Sequence, residues 1–174
     1  MNQIDCKQAQ RVWSRVMASQ EQAPKTRENQ AQPAADAAEP PQMQNLLTEG
    51  YVLELMQQEL AGAATYRCLA GRMKGCARKL LLTLAADETD HAKKLGAIYF
   101  LMTGKKACPG RPERPCITCN AETLRMQYQK ELSARETYEQ LASAAGSRAC
   151  TMREIAHDEC RHAQLIYQLL QSCL

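Results

Sequence analysis

Aromatic side chains are scarce: 174 residues include one Phe and one Trp. A core built on large rings is excluded, and Leu, Met, Ala and Ile must fill it, as long helices allow. Long hydrophobic runs are missing too. No stretch approaches the ~20 apolar residues that a spanning helix needs, and the first 20 residues are polar and charged, unlike a leader peptide. The expectation is a soluble, cytoplasmic protein that contacts no membrane. Charge of one sign is also lacking. Lys and Arg number 22 against 19 Asp and Glu, for a net charge of +3, and interspersed charge builds no field for nucleic acid. Cysteine, by contrast, is plentiful. The count of nine is odd, and most lie at helical positions among apolar neighbours, which predicts reduced thiols rather than a disulfide scaffold.

Residues 4–19 could form a short amphipathic helix, with Val12, Trp13, Val16 and Met17 at spacings of three and four. From Gln20 to Gln44 the chain turns to Gln, Ala, Pro and Glu, with Pro24, Pro33, Pro40 and Pro41. Such a composition buries too little to offset its ordering entropy and reads as a flexible tether. Residues 1–44 are therefore an N-terminal extension, and 45–174 form one all-α domain. Helical periodicity predicts helices over about 46–73, 76–104, 120–145 and 148–172, with Gly75 and Gly146 at the two short turns. Short turns make two antiparallel hairpins. Between them lie Pro109, Gly110, Pro112 and Pro115. A connection of ~15 residues reaches roughly 50 Å extended, and a helix of about 28 residues is about 42 Å long. The connection can therefore cross the length of a four-helix bundle, although an up-down-up-down order also fits.

The two hairpins share a pattern. Glu59 and Tyr66 recur as Glu131 and Tyr138; Asp87, Glu88 and His91 recur as Asp158, Glu159 and His162. Each Glu and His falls in an apolar stripe: Leu81, Leu84, Glu88, His91 and Leu95 on the second helix, and Met152, Ile155, Glu159, His162 and Ile166 on the fourth. Lone buried carboxylates cost several kcal/mol each, of order, and four together repel. The one nearby cation, Arg135, cannot balance them, but two divalent metals can. A spacing of three puts Glu and His on adjacent turns of one face, so both reach one ion. Oxygen-rich ligation with one imidazole per metal suits iron or manganese better than structural zinc. The expected ligands are Glu59, Glu88, His91, Glu131, Glu159 and His162.

Tyr66 and Tyr138 stand two turns beyond the lone Glu residues. They serve either as core aromatics or as hydrogen-bond partners of the ligands and sacrificial reductants. Asp87 and Asp158 stand four residues before each His, where an acceptor could hold the distal imidazole N–H; simple surface charge is the competing account. Cys108, Cys116 and Cys119 sit in the inter-hairpin connection, as a redox dithiol, part of an additional metal site completed by Cys6 or a partner chain, or an incidental loop. Cys68, Cys76 and Cys160 read as small hydrophobes, and His157 as a surface or packing residue.

At these residues the chain resembles the rubrerythrin and ferritin-like di-iron superfamily, over about 45–172. The resemblance implies a ferritin-like bundle, two iron ions (manganese or a mixed pair being possible), the same six ligands, and a possible homodimer. It implies reduction of hydrogen peroxide, oxidation of Fe(II) by oxygen, or oxygen activation. The third helix carries Ala134 where typical rubrerythrins have a second Glu. No rubredoxin domain follows, since Cys116-Ile-Thr-Cys119 is the one Cys-x-x-Cys pair, so an external electron donor is implied. The leading expectation is a di-iron peroxidase, the second a ferroxidase, and the third a metal-independent helical interaction module.

Overall fold

The computed structural model describes residues 47–172, all helix and connection without a strand. The N-terminal helix and tether expected within 1–44, with Cys6 and Trp13, lie outside the described residues. Four long helices follow: α1 (Glu49–Arg72), α2 (Gly75–Thr103), α3 (Asn120–Ala144) and α4 (Ala149–Ser172), the last preceded by a 3-10 turn at Gly146–Arg148. None is long and apolar enough to cross a membrane.

Helix ends follow local chemistry. α1 begins three residues later than periodicity predicts because Thr48 caps it, its hydroxyl accepting the Tyr51 N–H at 3.2 Å. α2 stops at Thr103 because Gly104, predicted as its last residue, takes the left-handed conformation at φ 68° and accommodates the chain's exit without a Cβ clash.

α1 packs along α2, and α3 along α4. The apolar side chains form two clusters at opposite ends. One joins Val52, Leu55 and Met56 of α1 to Leu95 and Ile98 of α2, Leu141 of α3, and Met152 and Ile155 of α4. The other joins Leu69 of α1, Leu81 and Leu84 of α2, Leu124 of α3, and Ile166 and Leu169 of α4. Fully buried side chains such as Leu81, Leu95 and Leu124 each contribute roughly 1.5–3 kcal/mol.

This partition fixes the topology. The start of α1 and the end of α3 meet in the first cluster, as do the end of α2 and the start of α4. α1 and α3 therefore run antiparallel, while α2 and α3 run in the same direction. The connection from Gly104 to Cys119 must traverse the bundle, and its residues show it: Ala107 packs on the first cluster and Ile117 on the second. The crossover that chain length permitted is the one adopted.

Candidate metal centre

Between the two apolar clusters lies a polar layer. Glu59 from α1, Glu88 and His91 from α2, Glu131 from α3, and Glu159 and His162 from α4 are all buried, none more than 4% exposed. The helical stripes that place Leu and Met in the core carry these six residues with them. The two imidazoles stack with centroids 5.6 Å apart.

Their donor atoms form two groups, Glu59, Glu88, His91 and Glu159 in one, and Glu88, Glu131, Glu159 and His162 in the other, with all donors of a group within 4.8 Å of one another. Glu88 and Glu159 belong to both. Sequence spacing alone does not separate these two shared carboxylates from Glu59 and Glu131. His91 Nδ1 lies 2.9 Å from Glu159 Oε1 and 3.4 Å from Glu59 Oε2. His162 Nδ1 lies 3.0 Å from Glu88 Oε1, 3.5 Å from Glu131 Oε2 and 3.6 Å from Glu159 Oε2. These are electrostatic contacts without hydrogen-bond geometry. Glu59 Oε2, Glu88 Oε1, Glu159 Oε1 and both Nδ1 atoms are buried with no hydrogen-bond partner.

The outer contacts cross between hairpins. Tyr66 of α1 donates its hydroxyl hydrogen to Glu131 of α3, and Tyr138 of α3 donates to Glu59 of α1. His91 Nε2 lies 3.3 Å from Asp158 Oδ2, and His162 Nε2 lies 3.3 Å from Asp87 Oδ2. Each Asp thus serves the imidazole of the other hairpin rather than the one four residues ahead, because each ring's Nε2 faces the opposite hairpin. An acceptor on Nε2 favours the Nε2–H tautomer and leaves the Nδ1 lone pair for the interior.

Two contributors were not singled out from the sequence. Arg161 Nη2 lies 3.0 Å from both Asp87 Oδ2 and Asp158 Oδ1, tying the two Asp residues together. Its spacing of three from Asp158 was the available signal. Gln127, 3% exposed, brings its amide to the Tyr66 hydroxyl; a polar residue in the α3 stripe was its mark. Arg135, considered as a counter-charge, instead pairs with Glu139 at 2.8 Å.

The electrostatics record a concentration of acid. Burial, aided by Glu131, Glu159 and Glu59, pushes the Glu88 carboxyl well above its usual range. Burial likewise lifts Glu131 to about 8. Burial would lower His91, but contact with Glu159 and Glu59 outweighs it and holds the imidazole at about 10. Burial is overcome in the same way at His162, held at about 12 by Glu131, Glu159 and Glu88. Glu159 is the exception among the acids: burial would raise it, yet Glu131 and the two imidazoles hold it well below the usual range. Without metal, Glu131 and both imidazoles bind protons more tightly than usual. Two divalent ions would balance four carboxylates with both imidazoles neutral, and would satisfy the five orphaned donor atoms. The residues fit a two-metal group.

Cys108, Cys116 and Cys119 carry free, exposed thiols, and neither donor group includes them. Cys76 is exposed, whereas Cys68 and Cys160 are half-buried. His157 is exposed on α4. Comparison with protein-family models, curated proteins and solved structures finds no match to this chain.

Proposed function

We propose that the protein is a ferritin-like, carboxylate-bridged di-iron oxidoreductase that reduces hydrogen peroxide with electrons from an external donor. The observation that carries this reading is the pair of four-donor groups sharing Glu88 and Glu159, with five of their buried donor atoms unsatisfied. The two hairpins are then two copies of one unit, each copy completing the other's half of the site.

Glu59 and His91 would hold one ion, Glu131 and His162 the other, and Glu88 and Glu159 would bridge. Two ferrous ions supply Lewis acidity and two reducing equivalents, which with two protons convert one peroxide to two waters. The chain's own residues supply the setting. All six ligands are buried, a setting that suits a small oxidant such as peroxide or oxygen. The Tyr66 and Tyr138 hydroxyls hold Glu131 and Glu59, leaving the second oxygen of each carboxylate turned inward. The Asp87–Arg161–Asp158 bridge fixes both imidazoles from behind, so that ligand geometry is set before any metal arrives.

Anaerobic Fe(II) titration of metal-free protein, followed optically as peroxide or oxygen is added, tests the reading. Two irons per chain, oxidised faster by peroxide than by oxygen, are expected. Faster oxidation by oxygen would make the protein a ferroxidase. Failure to retain metal would leave a helical interaction module with a buried acid–imidazole network.

A further inference from the structure

A carboxylate common to both donor groups needs room to reach donors on several helices, and for Glu88 that room comes from a residue without a side chain. Gly62 follows Glu59 by three on α1, which places it on the same face of the helix. A Cβ built there would lie 2.7 Å from Glu88 Oε2, 3.3 Å from its carboxyl carbon and 3.7 Å from Cγ. Every residue except glycine carries that Cβ, and 2.7 Å is closer than Cβ atoms approach a neighbour. The other two glycines of α1 differ, since a Cβ at Gly50 or Gly71 would meet nothing within 4 Å. Glycine inside a helix is less favourable than alanine, and at Gly62 the space it leaves is filled by a carboxylate.

The two oxygens of Glu88 have different surroundings. Oε1 lies 3.0 Å from His162 Nδ1 on the opposite hairpin and is buried with no hydrogen-bond partner. Oε2 lies over Gly62 of α1. Seated in this way, Glu88 belongs to both donor groups.

The geometry points to Gly62 as the positioning residue of this shared carboxylate: by omitting a side chain, α1 makes the seat from which Glu88 serves both ions. Because Glu88 is common to the two groups, filling the seat weakens the hold on both ions together rather than on one. The obstruction meets the far end of a flexible side chain, so it displaces the ligand and spares the helix.

The inference rests on the two-metal reading, and its test separates the two. Full-length wild type, Gly62→Ala, Glu88→Asp and the double variant are titrated with Co(II) against a competing chelator, and each is melted without metal. The wild type should bind two Co(II). Gly62→Ala should melt at or above the wild-type temperature, since alanine suits a helix better than glycine, while its affinity for both ions falls by about tenfold or more. Glu88→Asp shortens the arm by one methylene and withdraws the carboxyl from the added methyl. In the wild type that shortening should lower affinity; in Gly62→Ala it should restore about threefold or more. A Gly62→Ala protein within about twofold of wild type, weakening at one ion alone, or an equal effect of Glu88→Asp in both backgrounds would each overturn the assignment. A lowered melting temperature without the reversal would make Gly62 merely structural and overturn it too. Should Gly62→Ala not fold, the double variant, in which the clash is relieved, should fold and bind two Co(II), and its failure would be equally decisive. A wild type that binds no Co(II) would instead overturn the two-metal reading, and this inference with it.

Discussion

The two shared carboxylates make equal contributions to the donor groups but differ in the metal-free protein, and isosteric substitution should expose that difference. Glu159 is ionised between two imidazolium rings, 2.9 Å from one and 3.6 Å from the other. Replacing it with Gln removes the counter-charge and leaves buried positive charge uncompensated, a loss that costs about 3–5 kcal/mol when one partner of a buried pair is removed. Burial among other acids pushes the Glu88 carboxyl well above its usual range, so Glu88→Gln, which replaces it with a neutral amide of the same shape, should cost less than Glu159→Gln. For a domain of this size, where 1 kcal/mol is about 3–5 °C, Glu159→Gln should melt about 10–20 °C below wild type and Glu88→Gln by a smaller margin. Urea and thermal unfolding in chelator at pH 7 measure both. Metal should then remove the distinction. At a free concentration 100-fold above Kd each site stabilises the wild type by about 2.7 kcal/mol, and both variants should lose most of that gain. Equal destabilisation of the two metal-free variants would refute the charge assignment. Full metal stabilisation in either would refute its role as a shared ligand.

Tyr66→Phe or Tyr138→Phe each strips a buried carboxylate of its hydroxyl donor; about 1–3 kcal/mol of stability and a tenfold to hundredfold loss in metal affinity are expected, measured by denaturation and by competitive metal titration. In the metal-free protein His91, His162 and Glu131 all have raised folded values, so their stabilisation is complete below their unfolded values and is lost as pH climbs toward about 8 for Glu131, 10 for His91 and 12 for His162. Glu159, lowered on folding, acts oppositely, its contribution being lost in strong acid. The urea midpoint without metal should thus fall between pH 6 and pH 9, while metal affinity rises over the same range because binding releases the Nδ1 protons; a flat metal-free midpoint would contradict this. Arg161→Met should change metal-free stability by less than about 1 kcal/mol, since the guanidinium is partly exposed. It should still weaken metal binding about tenfold by releasing Asp87 and Asp158, and an unchanged affinity in equilibrium dialysis would remove Arg161 from the support of the site.

Helical periodicity and paired turns made the four helices legible, and Glu59, Glu88, His91, Glu131, Glu159 and His162 stood out because each interrupts an apolar stripe at a repeated position. Periodicity describes one helix at a time, however. Which carboxylates are shared, and which Asp faces which His, depends on how hairpins approach, so the Asp87–His162 and Asp158–His91 pairs could not be read from a spacing of four. Arg161 was hidden for the same reason: one of its two partners lies on α2. Thr48 and Gly104 moved the helix ends through hydrogen bonding and backbone conformation, to which side-chain periodicity is blind. The crossover was legible only as a permitted length, because Ala107 and Ile117 acquire meaning when the ends they pack against are known.

The crossing of contacts also bears on how the chain assembles. α1–α2 and α3–α4 are sequence-local units that can zip up quickly, whereas every donor group draws on both. Bringing hairpins together incurs the loop-closure cost of the Gly104–Cys119 connection, and the acid layer where they meet must take up protons or metal as it is buried. The same six side chains that would grip two ions therefore come together only when the hairpins meet. Metal supplied to the nascent protein would act there, as the clasp that draws two preformed hairpins into one body.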